Sequence, residues 1–457
     1  MDRRSFIKYT AVTAAISGVP TIALGQNQPG GAPAQGGGRK LRVAGIGVGG
    51  MGAADLSQIA QHPDVTIVGL CDVDRARVAK AGEQHADAKQ FADYREMLET
   101  LGDDVDAVHV STPDHTHAHA TMLAMNMGKH VYTQKPLTHD IYEARQLAKV
   151  AAANPKIVTQ MGTQNASRIP KRQALAVLKD PALREQTVGR VTAIYGWSDR
   201  PAGWWPQGNP RPEGEDPVPA DLSWDLWIGT APMRPYKNGQ YAPFNWRGTY
   251  DFGCGALGDM ACHIMDTAYY ALDLGHARSV VSHNEDSTDD QFPTYQHSVL
   301  VFAGNDASDG KDIGMYWFDG GIIPHHKALG IPQHANLPDN GCVVVGDRGS
   351  MLITHVGEPP RLFDKESERD LAPMLPSLEE RNHYHHWVDA CLGRTKTECN
   401  FEVAGPLIEQ LCLGAISARF PHKTLLWDAE SMKFTNSDEA NKLVRRKYRD
   451  GWEIENL

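Results

Sequence analysis

At 457 residues the chain is longer than one average domain, so two are expected. Its apolar content is enough for a sizeable core, and a formal net charge of -11 argues against nucleic acid or an anionic membrane as the main partner. No apolar run is long and uncharged enough to be a membrane span.

The chain opens on "MDRRSFIKYTAVTAAISGVPTIALGQ", where Arg3, Arg4 and Lys8 precede a weakly apolar run ending in the small residues Ala23 and Gly25. The Arg3-Arg4-x-Phe6 arrangement resembles a twin-arginine export signal, which makes residues 1–25 an expected signal peptide. It implies an exported, periplasmic location and the twin-arginine translocase as a partner during export. Residues 26–39 are rich in Gly and Pro and read as a linker. Seven cysteines without C-x-x-C spacing suggest neither a disulfide framework nor a zinc site. Cys71, Cys254, Cys262 and Cys412 sit in apolar or Gly-rich settings and read as buried thiols.

From residue 40 the pattern becomes strand, tight glycine turn, helix. Val43, Ala44 and Ile46 belong to a short buried strand, and Gly45, Gly47 and Gly50 fit G-x-G-x-x-G. Such glycines let the backbone turn sharply and approach a pyrophosphate seated at a helix N-terminus. "VTIVGLCDVD" is a second strand ending in Asp72, at the distance where an acid holds the adenosine ribose. A carboxylate there repels a 2′-phosphate, so NAD is expected over NADP, with Arg75 nearby tempering the preference.

The alternation continues. "AVHVST" is a strand, "HAHATMLAMNMG" a helix closed by Gly128, "HVYTQ" a strand, and "THDIYEARQLAKVAA" a helix capped by Thr138. Alternating elements with right-handed crossovers give a doubly wound parallel sheet, expected over residues 40–160. Ligands bind beyond the carboxyl ends of such strands, so Thr112-Pro113 and Gln134-Lys135-Pro136 should border the cofactor.

G-x-G-x-x-G, an acid ending the second strand, T-P-x-x-x-H (Thr112, Pro113, His117) and a Lys-Pro dipeptide after a later strand occur together here. The combination resembles the glucose–fructose oxidoreductase, inositol dehydrogenase and rhizopine catabolism family (Gfo/Idh/MocA). The family motif is usually Glu-Lys-Pro, and this chain has Gln134 before Lys135. Lys135 therefore carries over, while a carboxylate beside the nicotinamide ribose does not. Gln can still donate and accept hydrogen bonds.

Residues 161–457 are expected to form a second, substrate-binding α/β domain. "VGRVTAIYGWS", "HSVLVFAG", "IGMYWFDG" and "NGCVVVGDRGSMLITH" read as strands, the last a hairpin turning at Asp347-Arg348-Gly349. They suggest a large, mostly antiparallel sheet, as the resemblance also implies. The resemblance places Gln160, Gln164 and Asn165 near the nicotinamide; the residues alone also fit a polar inter-domain loop.

In "FNWRGTYDFGCGALGDMACHIMDTAYYALDLG" the segment from Ala256 to Leu272 reads as helical. Asp259 and His263 are four residues apart and Asp266 lies a turn beyond, all on one face. Alone this fits a satisfied Asp–His pair under loops. The resemblance gives the D-x-x-x-H more: His263 as general base for a substrate hydroxyl, Asp259 binding substrate or orienting the imidazole, and Lys135 polarising the developing alkoxide. A histidine titrating near neutrality suits proton abstraction, and a fixed cation suits an oxyanion.

"YGWSDRPAGWWPQG", "LSWDLWIG" and "PFNWRGTYDFG" concentrate tryptophan among Asp199, Arg200, Asn245 and Arg247. Aromatic faces stack on sugar rings while neighbouring polar groups bind hydroxyls. Trp204, Trp205, Arg247 and Asp266 are the expected substrate contacts, with core packing the alternative for the other tryptophans. Asp259 with His263, His115-x-His117-x-His119, and His383, His385 and His386 lack a complete metal-ligand set.

The implied activity is NAD(P)-dependent oxidation or reduction of a sugar, polyol or glycoside hydroxyl, and free NAD is not expected to be recycled outside the cytoplasm. A tightly bound NAD in a redox-neutral sugar–sugar cycle is therefore expected. NAD-dependent glycoside cleavage through a keto-sugar is the alternative, and a non-catalytic sugar-binding protein is a further one. The resemblance also implies a homo-oligomer.

Overall fold

The computed structural model describes residues 40–457, and the expected signal peptide and linker lie outside them. The chain first lays down β1 (Leu41–Ile46), α1 (Met51–Ala60), β2 (Val65–Cys71), α2 (Arg75–Gln84), β3 (Lys89–Phe91) and α3 (Tyr94–Leu101). It continues with β4 (Ala107–Val110), α4 (Asp114–Asn126), β5 (His130–Thr133), α5 (Ile141–Ala153) and β6 (Thr159–Met161). These six strands are parallel in the order β3-β2-β1-β4-β5-β6. The order reverses between β1 and β4, which opens a crevice at their carboxyl ends.

Local chemistry sets the helix starts. Asp74 and Asp93 cap α2 and α3 by accepting from Ala76 N and Arg95 N. Asp140 and Glu143 form a reciprocal capping box on α5. The expected cap Thr138 is displaced by that box, and its hydroxyl donates to the Asp140 carbonyl instead.

The second sheet has ten strands. Its centre comprises β7 (Val191–Trp197), β8 (Ala277–His283), β9 (His297–Phe302), β10 (Ile313–Phe318), β11 (Gly341–Gly346) and β12 (Ser350–Thr354). The short β13 (Arg361–Phe363), β14 (Glu368–Arg369), β15 (Leu425–Asp428) and β16 (Lys433–Phe434) extend its edges. The order is β14-β13-β12-β11-β7-β10-β9-β8-β15-β16, antiparallel except for β7 against β10. One face is packed: Ser298, Leu300 and Phe302 of β9 are buried while His297, Val299 and Val301 are half-buried. The hairpin β11–β12 turns where expected, at Asp347-Arg348-Gly349. β8 escapes sequence reading because Arg278, Ser279, Ser282 and His283 break its apolar run, and the edge strands are too short to show a period.

The helical segment expected from Ala256 is present but uneven. Leu257–Ala261 forms a π-helical turn, followed by helical Cys262–Ile264 and Asp266–Ala271. Such turns re-aim side chains inside helices. The helix Phe401–Ser417 then returns against α5. Gly405 makes that approach possible, since a Cβ there would lie 2.9 Å from Ala148 Cβ.

Candidate active site

The glycine turn joins β1 to α1 beside the reversal in strand order. Gly47 has φ +77°, and a Cβ there would lie 2.5 Å from the Ser111 carbonyl oxygen of the next strand end. A Cβ on Gly49 would meet Arg77 at 2.4 Å, and one on Gly52 would lie 1.8 Å from Gly47 O. Those three glycines serve the sharp turn, the close approach and the helix–strand contact. The fingerprint is thus Gly47-x-Gly49-x-x-Gly52, two residues beyond the register expected from Gly45, Gly47 and Gly50. Gly45 lies inside β1 against Val48 and Leu56, and Gly50 has nothing near its missing Cβ.

Gly50 enters α1 without a side-chain cap. The first N–H groups of the helix therefore face the turn, a good fit to a pyrophosphate. Asp72 shapes the same turn by accepting from Val48 N and Asp74 N, both at 3.0 Å. Burial raises its carboxyl above the usual range against those donors and Arg77. Arg77, paired with Asp74, is the arginine beside the turn; Arg75 is exposed. A cavity of about 190 Å³ between Val48, Gly49, Gly50, Arg77 and Lys80 continues the turn. The loop, uncapped helix and acid suit an NAD diphosphate and adenosine ribose.

At the next strand ends, Thr112 and Pro113 are half-buried and follow β4. His117 is 1% exposed. Its ring nitrogens lie 2.7 Å from Thr112 O and 2.7 Å from Pro136 O, so it ties the two turns together from beneath. Gln134 is also buried: its Nε2 donates to Asp55 Oδ2 at 2.7 Å, and its Oε1 accepts from Lys135 N at 3.0 Å. The Lys135–Pro136 peptide bond is cis. Gln160 donates to His383 O, and Asn165 to His355 O. Gln164 starts a short 3-10 turn and is half-buried.

Lys135 leaves its strand end and meets the helix of the second sheet's domain. Its Nζ donates to Asp259 Oδ1 at 2.7 Å and to Asp259 O at 3.1 Å. Arg247 Nε reaches Asp259 Oδ1 at 3.3 Å, and Arg200 Nε is 3.5 Å from Oδ2. Burial alone would raise the Asp259 carboxyl, but Lys135, Arg247 and Arg200 outweigh it and hold the pKa well below the usual range. Asp259 is therefore a fixed anion that positions Lys135, rather than the orienter of His263.

His263 is 6% exposed and its Nδ1 has no hydrogen-bond partner. Burial first, then Lys135 and His355, hold its pKa well below 6.5, with Asp259 pulling the other way. His355 follows β12, with its ring centroid 5.3 Å from that of His263. Asp266 does not face this cluster. Its carboxylate pairs with Lys171 Nζ at 2.8 Å, both side chains under 5% exposed, and Lys171 also donates to His263 O. The expected substrate contact is a buried support beneath His263, because a lysine from Ile169–Lys179 reaches it first.

Trp204 and Trp205 diverge. Trp204 is 48% exposed, carries the Arg200 guanidinium 3.9 Å above its ring and donates to Asp199. Trp205 is 6% exposed, donates to Gln207 Oε1 and packs against Phe244. Trp224, Trp227 and Trp246 join Tyr241 and Phe252 in a separate apolar cluster.

Sequence reading passed over three contributors, Asp114, Lys171 and His355, and named Arg200 only as a polar neighbour of the tryptophans. Asp114 opens α4 directly after Pro113 and accepts from Cys254 N at 3.1 Å. Burial lifts its pKa to about 7 against Arg247 and Lys135. Its place inside T-P-x-x-x-H was the available signal. Lys171 and His355 carried none, since the partners of Lys171 lie 92 and 95 residues away and His355 meets His263 only through the fold.

Residues 41–162 match the profile of an oxidoreductase family with an NAD-binding Rossmann fold, and residues 190–303 that of the family's C-terminal alpha/beta domain. An alpha-N-acetylgalactosaminidase from Shewanella oneidensis is 29% identical over 188 residues, 37% of this chain and 40% of that protein. An inositol 2-dehydrogenase from Salmonella typhimurium is 27% identical over 124 residues, 27% of this chain and 36% of that protein. The matched stretches thus span 40% or less of those relatives. The WlbA dehydrogenase from Bordetella pertussis, crystallised with NADH and UDP-GlcNAcA, shares the fold. Its TM-score is 0.57 at 16% identity, covering 85% of this chain and 99% of that one. With both domain profiles matched over more than half its length, the chain belongs to the Gfo/Idh/MocA oxidoreductase family.

Proposed function

We propose that the protein is an NAD-dependent oxidoreductase acting on a hydroxyl of a sugar, polyol or glycoside, with the cofactor held tightly through a redox-neutral cycle. The observation that carries this reading is the convergence of Lys135, Asp259 and His263 beside the cofactor-shaped turn. Gly47, Gly49, Gly52 and Asp72 would hold NAD, which supplies a hydride acceptor when bound. His263, neutral because burial and nearby cations disfavour its charged form, accepts the substrate hydroxyl proton on its imidazole. Lys135, oriented by Asp259, stabilises the developing oxyanion. Arg200 and the exposed face of Trp204 offer a guanidinium and a stacking surface to the sugar.

The Arg3-Arg4-x-Phe6 pattern supports export, and an exported enzyme needs a cofactor returned to its starting state in each cycle. A homo-oligomer is part of the same reading. Mass spectrometry after denaturation should find nicotinamide dinucleotide in the purified protein. Adding substrate without free NAD should raise absorbance at the reduced-nicotinamide band within one turnover. A stoichiometric requirement for added NAD would rule out the closed cycle.

A second reading is NAD-dependent glycoside cleavage through a keto-sugar. It is supported by the similarity to the alpha-N-acetylgalactosaminidase and by Asp114, a buried acid whose pKa of about 7 suits proton donation to a leaving group. Release of aglycone from aryl glycosides without net NADH formation separates it from simple oxidation.

A further inference from the structure

The departure at Gln134 has a counterpart on α1. Asp55 is 0% exposed, and its carboxylate is approached by Tyr384 Oη at 2.6 Å, Gln134 Nε2 at 2.7 Å and Ser111 Oγ at 2.9 Å. His109 Nε2 lies 3.4 Å away. The Ser–His–Asp composition is not a nucleophile relay. Ser111 Oγ and Asp55 both approach the same nitrogen, Nε2 of His109, and Nδ1 has no partner. A relay needs the carboxylate and the hydroxyl on opposite ring nitrogens. The set is a held anion: burial works against the charge, and the bonds from His109, Tyr384 and Gln134 bring the carboxyl below its ordinary range.

Gln134 is clamped at both ends. Its amide nitrogen donates to Asp55, and its amide oxygen accepts the backbone N–H of Lys135. An amide does both without a charge, whereas an ionised carboxylate at 134 would face the Asp55 oxygen as a like charge.

We propose that Asp55 is a positioning residue for Lys135, acting through Gln134, whose amide joins the α1 carboxylate to the Lys135 backbone N–H. This rests on the reading of Lys135 as a site residue. Tyr384, from the helix His383–Cys391, extends the same clamp to the C-terminal part of the chain.

The test is a reciprocal exchange: Asp55→Asn, Gln134→Glu, and both together in the full chain. Reductive methylation of Lys135, followed by peptide mass spectrometry, reads the lysine's placement without any cofactor. Each single change leaves donors unpaired or two acids in contact, so Lys135 should label about tenfold faster and NADH titrated by fluorescence should bind about tenfold more weakly. The double variant restores one acid and one amide and should return both readouts to within about threefold of the unaltered protein. Additive losses in the double variant, or singles that behave like the unaltered protein, overturn the proposal. If the singles do not fold, a double variant that folds with slow Lys135 labelling supports it, and one that also fails to fold overturns it. Failure of the unaltered protein to bind NADH would sink the functional reading instead, while the labelling still decides the positioning role.

Discussion

Burial and the Lys135 ammonium act on His263 in the same direction, so the imidazole is neutral across the ordinary working range. In the proposed mechanism the base form is the active one, and its folded-state pKa lies below 6.5. The rate of oxidation, followed as kcat/KM, should therefore stay level as pH falls from neutrality past 6.5 and drop only further into acid. A fall centred at 6.5 or above would show that His263 is not the base. His263→Ala and Lys135→Ala should each lower turnover by about 10²–10⁴-fold. NADH affinity, measured by titration, should change far less for His263→Ala. A binding protein without turnover would show no such split. The residue types of this site were legible from spacing; the partner of Asp259 was not, because the Lys135 ammonium arrives from 124 residues earlier.

At the scale of elements, the glycine turn shows how a motif can be recognised and still be misregistered. Gly-rich sequence from Gly45 to Gly52 contains overlapping matches, and only the packing tells them apart. Gly47→Ala combines a left-handed backbone, costing about 1–2 kcal/mol, with a Cβ 2.5 Å from Ser111 O. NADH affinity should fall tenfold or more. Gly50→Ala meets open space, but at φ +55° and ψ -121°, a glycine-favouring conformation, so it carries backbone strain without a clash and should lose less NADH affinity than Gly47→Ala. Equal losses from both changes, read by fluorescence titration, would contradict this register. The π-helical turn at Leu257–Ala261 is the other element-level surprise, since i, i+4 spacing alone describes a regular helix.

At the scale of the whole molecule, the C-terminal part of the chain returns to the first sheet's helices. Arg446 bonds Glu143 Oε1 at 2.5 Å and His115 O at 2.9 Å, and lies 3.4 Å from Asp140. Its side chain is 16% exposed while Glu143 and Asp140 are 2% and 4% exposed. Arg446→Ala leaves two buried acids without their cation and should cost about 3 kcal/mol. A denaturant midpoint followed by circular dichroism measures it; an unchanged midpoint would show that the contact is incidental. Trp452 adds to the return by packing on Tyr94 and His119, with Arg95 over its ring at 4.0 Å.

The sequence by itself determined the parallel sheet, the acid at the end of β2, the lysine at the end of β5 and the Asp259–His263 face, because each is written in residues within one or two turns or strands of each other. Helix and strand periods are short-range signals, and a turn's glycines and a helix's caps act locally. Only the tertiary structure decided which charges meet. It gave Asp259 to Lys135, Arg247 and Arg200, gave Asp266 to Lys171, and set Gln134 against Asp55, 79 residues apart. Those pairings depend on burial, where an unpaired charge is costly and the nearest partner in space, not in sequence, must supply the balance.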